Sequence, residues 1–123
     1  MTAKARPAPP ERVEQYDRVV AAFHGVERKG ATMPYTSVNG NMFSYLDATG
    51  VIALRLSPAD RATFIEQFST KLHEAYGIVQ REYVTVPPDL VADTDRLAPW
   101  FEAGHRYAQT LKPKPTKRQV RAI

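Results

Sequence analysis

The side chains in this sequence that could do chemistry are few and widely spaced. His24, His73 and His105 stand far apart, with no His-x-x-x-His pair to set two imidazoles on one helix face. Glu102-Ala103-Gly104-His105 matches Glu-x-x-His, the helical unit of di-iron carboxylate bundles. Such a centre needs two of these units and further glutamates on facing helices, so a single unit predicts polar cover on a helix flank. Ser37, Ser44, Ser57 and Ser69 have no Gly-x-Ser-x-Gly context and no adjacent base. Ser57, Asp93 and Asp95 are explained by helix starts, where an oxygen acceptor or a negative charge is favourable. There is no cysteine, which excludes a thiolate nucleophile, a disulfide and a Cys-ligated metal. The glycines are scattered, and Val38-Asn39-Gly40-Asn41 is a turn rather than a phosphate loop. Nothing here supports catalysis, and no cofactor or metal is expected.

Charge is divided along the chain. The net charge is +4, but residues 1–10 carry +2 and residues 112–123 carry +5, which leaves −3 for residues 11–111. Attraction for nucleic acid or another anionic surface would therefore lie in Lys112, Lys114, Lys117, Arg118 and Arg121. No aromatic residue interleaves these cations, so they suit phosphates rather than stacked bases. A solvated tail, or docking on another protein chain, fits the same residues. The absence of cysteine, of a signal-peptide pattern and of a membrane-length apolar run fits a cytoplasmic protein.

The elements that would position these groups can be read from periodicity. Residues 1–9, rich in proline and alanine, predict a disordered lead, followed by one domain over 10–111 and a basic, proline-containing tail over 112–123. Val13, Tyr16, Val20 and Phe23 form a stripe for a helix over about 10–24, ended by Gly25. Residues 33–56 read as three antiparallel strands, at about 33–38, 41–47 and 51–56, with Asn39-Gly40 supplying the first tight turn. Ser57-Pro58-Ala59-Asp60 starts a second helix with Ala62, Phe64, Ile65 and Phe68 on its inner side. Periodicity alone would extend it to Tyr76. Residues 82–86 read as a strand closed by Pro87-Pro88. The last helix carries Leu97, Trp100, Phe101, Gly104, Ala108 and Leu111, and Gly104 on that stripe predicts close approach to the sheet backbone.

Strict alternation in the second strand puts Phe43 and Tyr45 on the face opposite Met42, Ser44 and Leu46. With Tyr35 they form an outward aromatic patch, a proposed surface for a protein partner or a second copy of the chain. A pocket between sheet and last helix, lined by Tyr35, Tyr83, Trp100 and His105, is the alternative place for a small molecule.

The residues from Lys29-Gly30-Ala31-Thr32-Met33-Pro34-Tyr35 through Val38-Asn39-Gly40-Asn41-Met42-Phe43 carry a further signal. So do Leu54-Arg55-Leu56-Ser57-Pro58-Ala59-Asp60-Arg61, Tyr83-Val84-Thr85-Val86-Pro87 and the helix containing Trp100. Together, over about residues 11–112, they resemble the N-terminal domain of the TfoX/Sxy competence regulators. The resemblance implies an α+β fold of two layers, ordered α-β-β-β-α-β-β-α, with an antiparallel sheet packed by helices, similar to secretion chaperones and YjbR-like proteins. It also implies a short strand near Lys71–Tyr76. Met33-Pro34-Tyr35-Thr36 departs from the family's Met-Phe-Gly-Gly, and the regulators' second domain has no counterpart here, so a competence role does not carry over. The resemblance supplies no catalytic residue. It implies a small regulatory or interaction domain, expected to be a homodimer.

Overall fold

A computed structural model describes residues 9–23, 26–30, 33–75 and 77–113. The elements are α1 (Pro10–Ala21), β1 (Tyr35–Val38), β2 (Asn41–Leu46), β3 (Ile52–Arg55), α2 (Pro58–Phe68), β4 (Leu72–Ala75), β5 (Ile78–Val86), α3 (Pro88–Val91) and α4 (Thr94–Thr110). The strands form one sheet in the order β1-β2-β3-β5-β4, and every pairing is antiparallel. This is an α+β fold with helices packed on an antiparallel sheet. No helix among the described residues is long and apolar enough to cross a membrane.

Local chemistry accounts for most boundaries. Pro10 and Pro58 open their helices where a missing N–H breaks no intrahelical bond. Ser57 Oγ accepts the amide of Asp60, and Asp93 accepts that of Arg96. Asn39 and Gly40 both have positive φ (54° and 79°), the pair a two-residue hairpin requires, and Val38 pairs with Asn41 across it. Ser69, in the left-handed region, ends α2 and releases the chain into β4. That strand replaces the helical continuation toward Tyr76 that periodicity alone suggests. Pro87-Pro88, read above only as a strand stop, also begins the short α3.

One core lies between the sheet and the helices, built around Tyr16, Phe43, Phe64, Leu54, Leu97 and Phe101. Ala62, expected in it, is exposed; Phe64, fully buried, is the inward residue of α2. Trp100 meets the edges of Phe64 and Phe68 at 5.1 and 5.9 Å. A second, smaller cluster occupies the other face of the sheet: Tyr45, Ala53 and Tyr83, with Met33, Tyr35 and Met42 packed against it. Among the described residues no helical side chain belongs to that cluster, and none of the helices covers that face.

Phe43 corrects the alternation rule. Thr36 pairs with Ser44 but Ser37 pairs with Met42, so Phe43 is the extra residue of a β-bulge. The bulge puts two consecutive side chains on the helix side. Phe43 is fully buried there, its ring 5.3 Å from both Phe101 and His105. Ser44, one step on, meets the hydroxyls of Tyr16 and Thr36 at 2.6 Å each. Tyr45 returns to the open face as expected, but it is only 6% exposed.

Candidate functional site

The helix-free face has an aromatic centre and two polar ends. At the centre the rings of Tyr45 and Tyr83 meet edge to face, 5.5 Å apart, on a floor provided by Ala53. Tyr35, Met33 and Met42 are half-buried around them. Beside the bulge, the Met42 carbonyl accepts from Tyr83 Oη at 2.9 Å and from Arg55 Nη1 at 3.1 Å. Arg55 also donates from Nε to Glu82 Oε1 at 2.7 Å and lies over the Tyr83 ring at 5.8 Å. Burial pushes the Tyr83 hydroxyl up to about 12, against the lowering influence of the Arg55 charge. Tyr83 thus stays neutral and donates.

At the other end stand Asp47, His73 and Thr85. His73 Nδ1 is 2.9 Å from Thr85 Oγ1, and Nε2 is 3.2 Å from Asp47 Oδ2, close enough for an ion pair but off the line of a hydrogen bond. Asp47 Oδ1 accepts from the amides of Thr49 and Val51 and from Thr49 Oγ1, at 2.9, 3.0 and 2.7 Å. Burial opposes ionisation of Asp47, but the His73 contact and these donors outweigh it and hold the carboxyl at about 2. The order carboxylate–imidazole–hydroxyl is that of a nucleophilic triad. Yet His73 is 2% exposed and Asp47 is committed to closing the β2–β3 turn, which leaves little of the imidazole within a substrate's reach. The group works as a brace between that turn and β4. Only a shallow cleft, lined also by Lys71, Glu74 and Gly77, lies over it.

The residues expected to line one pocket do not converge. Tyr83 is on the open face, Trp100 packs against α2, and His105 sits between Phe23 and Phe43 at 5.0 and 5.3 Å. Burial lowers the His105 pKa, with Glu102 opposing. His105 is therefore part of an aromatic stack, not loose polar cover. Among the described residues no three His, Asp or Glu side chains are grouped to hold a metal ion. Of the basic tail, Lys112 is exposed and its carbonyl accepts from Asn41 Nδ2 at 3.0 Å, which starts the tail beside the β1–β2 hairpin. Lys114, Lys117, Arg118 and Arg121 lie outside the described residues, as do His24, Gly25 and residues 1–8.

A partly open cavity that sequence reading did not anticipate lies elsewhere, between α1, the β2–β3 turn, β5 and α3. It holds about 130 Å³ and is walled by Leu46, Ile52, Val86 and Val91, with Arg12 and Gln15 on its α1 side. Comparison with known proteins gives no matching family model and no matching curated sequence.

Proposed function

We propose that this chain is a small, non-catalytic interaction domain of the TfoX N-terminal type, and that it pairs with a second copy of itself through the helix-free face of the sheet. The observation that carries this reading is the cluster of Tyr45, Ala53 and Tyr83 with half-exposed Met33, Tyr35 and Met42, on a face to which no helix contributes. Aromatic and methionine side chains at this density suit a contact surface better than solvent. A two-fold axis through the patch would set like residues against each other, the arrangement of most homodimers. The element order expected from the family resemblance, including a short strand where Leu72–Ala75 stands, agrees with the order observed apart from the added short α3, and supports the reading.

Sedimentation equilibrium of the full chain at micromolar concentration tests it. The expected result is a dimer that Tyr35→Glu weakens at least ~10-fold, the scale of a central interface residue. A monomeric wild type, or a dimer indifferent to Tyr35→Glu and Met42→Lys, would overturn it.

The separation of charge favours a second reading, non-specific nucleic-acid contact by the C-terminal cations, with Lys112 anchored at Asn41. Five phosphate contacts give a slope of log K against log salt of roughly −4.5 on duplex DNA. Binding that survives truncation after Leu111, or no binding at low salt, would remove it.

A further inference from the structure

Among the described residues, Arg12 is a cation with no ion-pair partner within 4.0 Å. Among the described residues its guanidinium has one hydrogen-bond partner, the neutral Gln15, whose Oε1 accepts from Nη1 at 3.0 Å. The nearest turn carboxylate, Asp47, is already committed to Thr49, Val51 and His73. The position of Arg12 is built rather than incidental. Its stem crosses Gly50, where a β-carbon would lie 2.8 Å from Arg12 Cγ, and Gly50 has a φ of +92° that side chains rarely adopt. Glycine at position 50 lets the turn close beneath the arginine.

The inner wall of the cavity that Arg12 borders is apolar, and Gln15, Thr49 and Thr85 are also among its lining residues. Leu46, Ile52 and Val86 come from the helix side of three strands, and Val91 and Pro88 from α3. Its volume, about 130 Å³, approaches the ~150 Å³ of a cavity known to take up benzene, although this one is partly open to solvent. A water placed here would find polar partners at Arg12, Gln15, Thr49 and Thr85. An inorganic phosphate would find one guanidinium and an apolar wall. A hydrocarbon would fill the wall and leave the guanidinium unpaired.

We propose that this cavity is a binding site for a small monocarboxylate with a compact, branched apolar body. The carboxylate lies against the guanidinium of Arg12, where two parallel N–H···O bonds are available, and Gln15 offers its amide N–H beside them. The carbon body packs on Ile52, Val86 and Val91. The ligand also ties α1 to the β2–β3 turn and α3.

Isobutyrate is the probe, with isobutyramide and inorganic phosphate as the comparison ligands, titrated into the full chain with the methyl resonances of Ile52, Val86 and Val91 as the readout. Isobutyrate is expected to shift these methyls saturably, and isobutyramide to bind ~10-fold or more weakly, the scale of a charged hydrogen-bond pair. Arg12 is half-exposed, so Arg12→Gln should fold with an unchanged spectrum and lose the preference for the acid; Arg12→Lys should keep part of it. The absence of saturable shifts at tens of millimolar isobutyrate, equal binding of acid and amide, or an unchanged preference in Arg12→Gln would each overturn the proposal. Binding of phosphate with isobutyrate's affinity would overturn the assignment of the apolar body.

Discussion

Gly104 of α4 stands so close to Arg55 that a β-carbon built on it would lie 2.8 Å from the Arg55 carbonyl oxygen, with Leu54 Cδ1 at 3.0 Å. The helix axis is thereby set down on the end of β3. Two effects compete in Gly104→Ala. Helix propensity favours alanine by about 1 kcal/mol. The contact is to a backbone oxygen within a paired strand, which cannot turn aside as a side chain would, and overpacking costs typically ~1–3 kcal/mol. The steric effect should win, giving a net loss of about 1–2 kcal/mol in urea unfolding. A stabilised Gly104→Ala would mean that α4 can move off the sheet at little cost.

Tyr16, Ser44 and Thr36 form a buried chain of hydroxyls that links α1 to the two strands of the first hairpin. Ser44 Oγ is 2.6 Å from each of the other two oxygens, and all three residues are fully buried. Tyr16→Phe removes the end of the chain and leaves Ser44 with Thr36. The expected cost is about 1 kcal/mol. Ser44→Ala strands both neighbours and should cost about 2–3 kcal/mol, so the order of the two losses is itself the check.

Two of the buried tyrosines, Tyr16 and Tyr83, make an alkaline prediction. Burial raises the Tyr16 hydroxyl well above its ordinary value, and pushes that of Tyr83 up to about 12. A group whose folded pKa is raised contributes stability that is fully present below its unfolded pKa, near 10. That stability is lost as pH rises toward the folded value. Unfolding free energy should therefore fall between about pH 10 and 12, with tyrosinate absorbance for these two rings appearing only on unfolding. Tyr16→Phe should flatten part of that slope.

The first hairpin, the two main helix starts and the close approach at Gly104 were legible because each rests on residues near in sequence or on a stripe of fixed period. Three features were not. Alternation has a period of two and places Phe43 on the open face; a single bulge opposite Thr36 and Ser37 shifts the phase without leaving a glycine or proline to mark it. The Asp47–His73–Thr85 brace was invisible for a different reason. It joins three segments through β4, whose residues keep helical periodicity with α2 and become a strand only because Ser69 turns left-handed and the β5 edge is available to pair. The register there slips between Leu72 and His73, which sets the His73 imidazole beside Thr85 although their strand partners differ. Tertiary pairing decided that segment against local preference. The Arg12 cavity had no sequence signal beyond an arginine on a helix.

Asp47 and His73 make the acid-side prediction. The Asp47 carboxyl is held at about 2 against an ordinary value of 3.8, so the unfolded chain binds the proton more readily over that interval. A depressed carboxylate contributes stability that is present above its unfolded pKa and lost as pH falls through the folded one. The contribution amounts to roughly 2 kcal/mol at neutral pH and should disappear from about pH 4 down to pH 2. Asp47→Asn keeps an oxygen to accept from Thr49 and Val51 but removes the charge facing His73. It should therefore be less stable than wild type at neutral pH by up to about 2 kcal/mol, and the two curves should converge near pH 2. Urea unfolding at pH 7, 4 and 2 measures both limbs. A constant difference at all three would assign the loss to hydrogen-bond geometry, and would show that ionised Asp47 contributes nothing to holding the turn against β4.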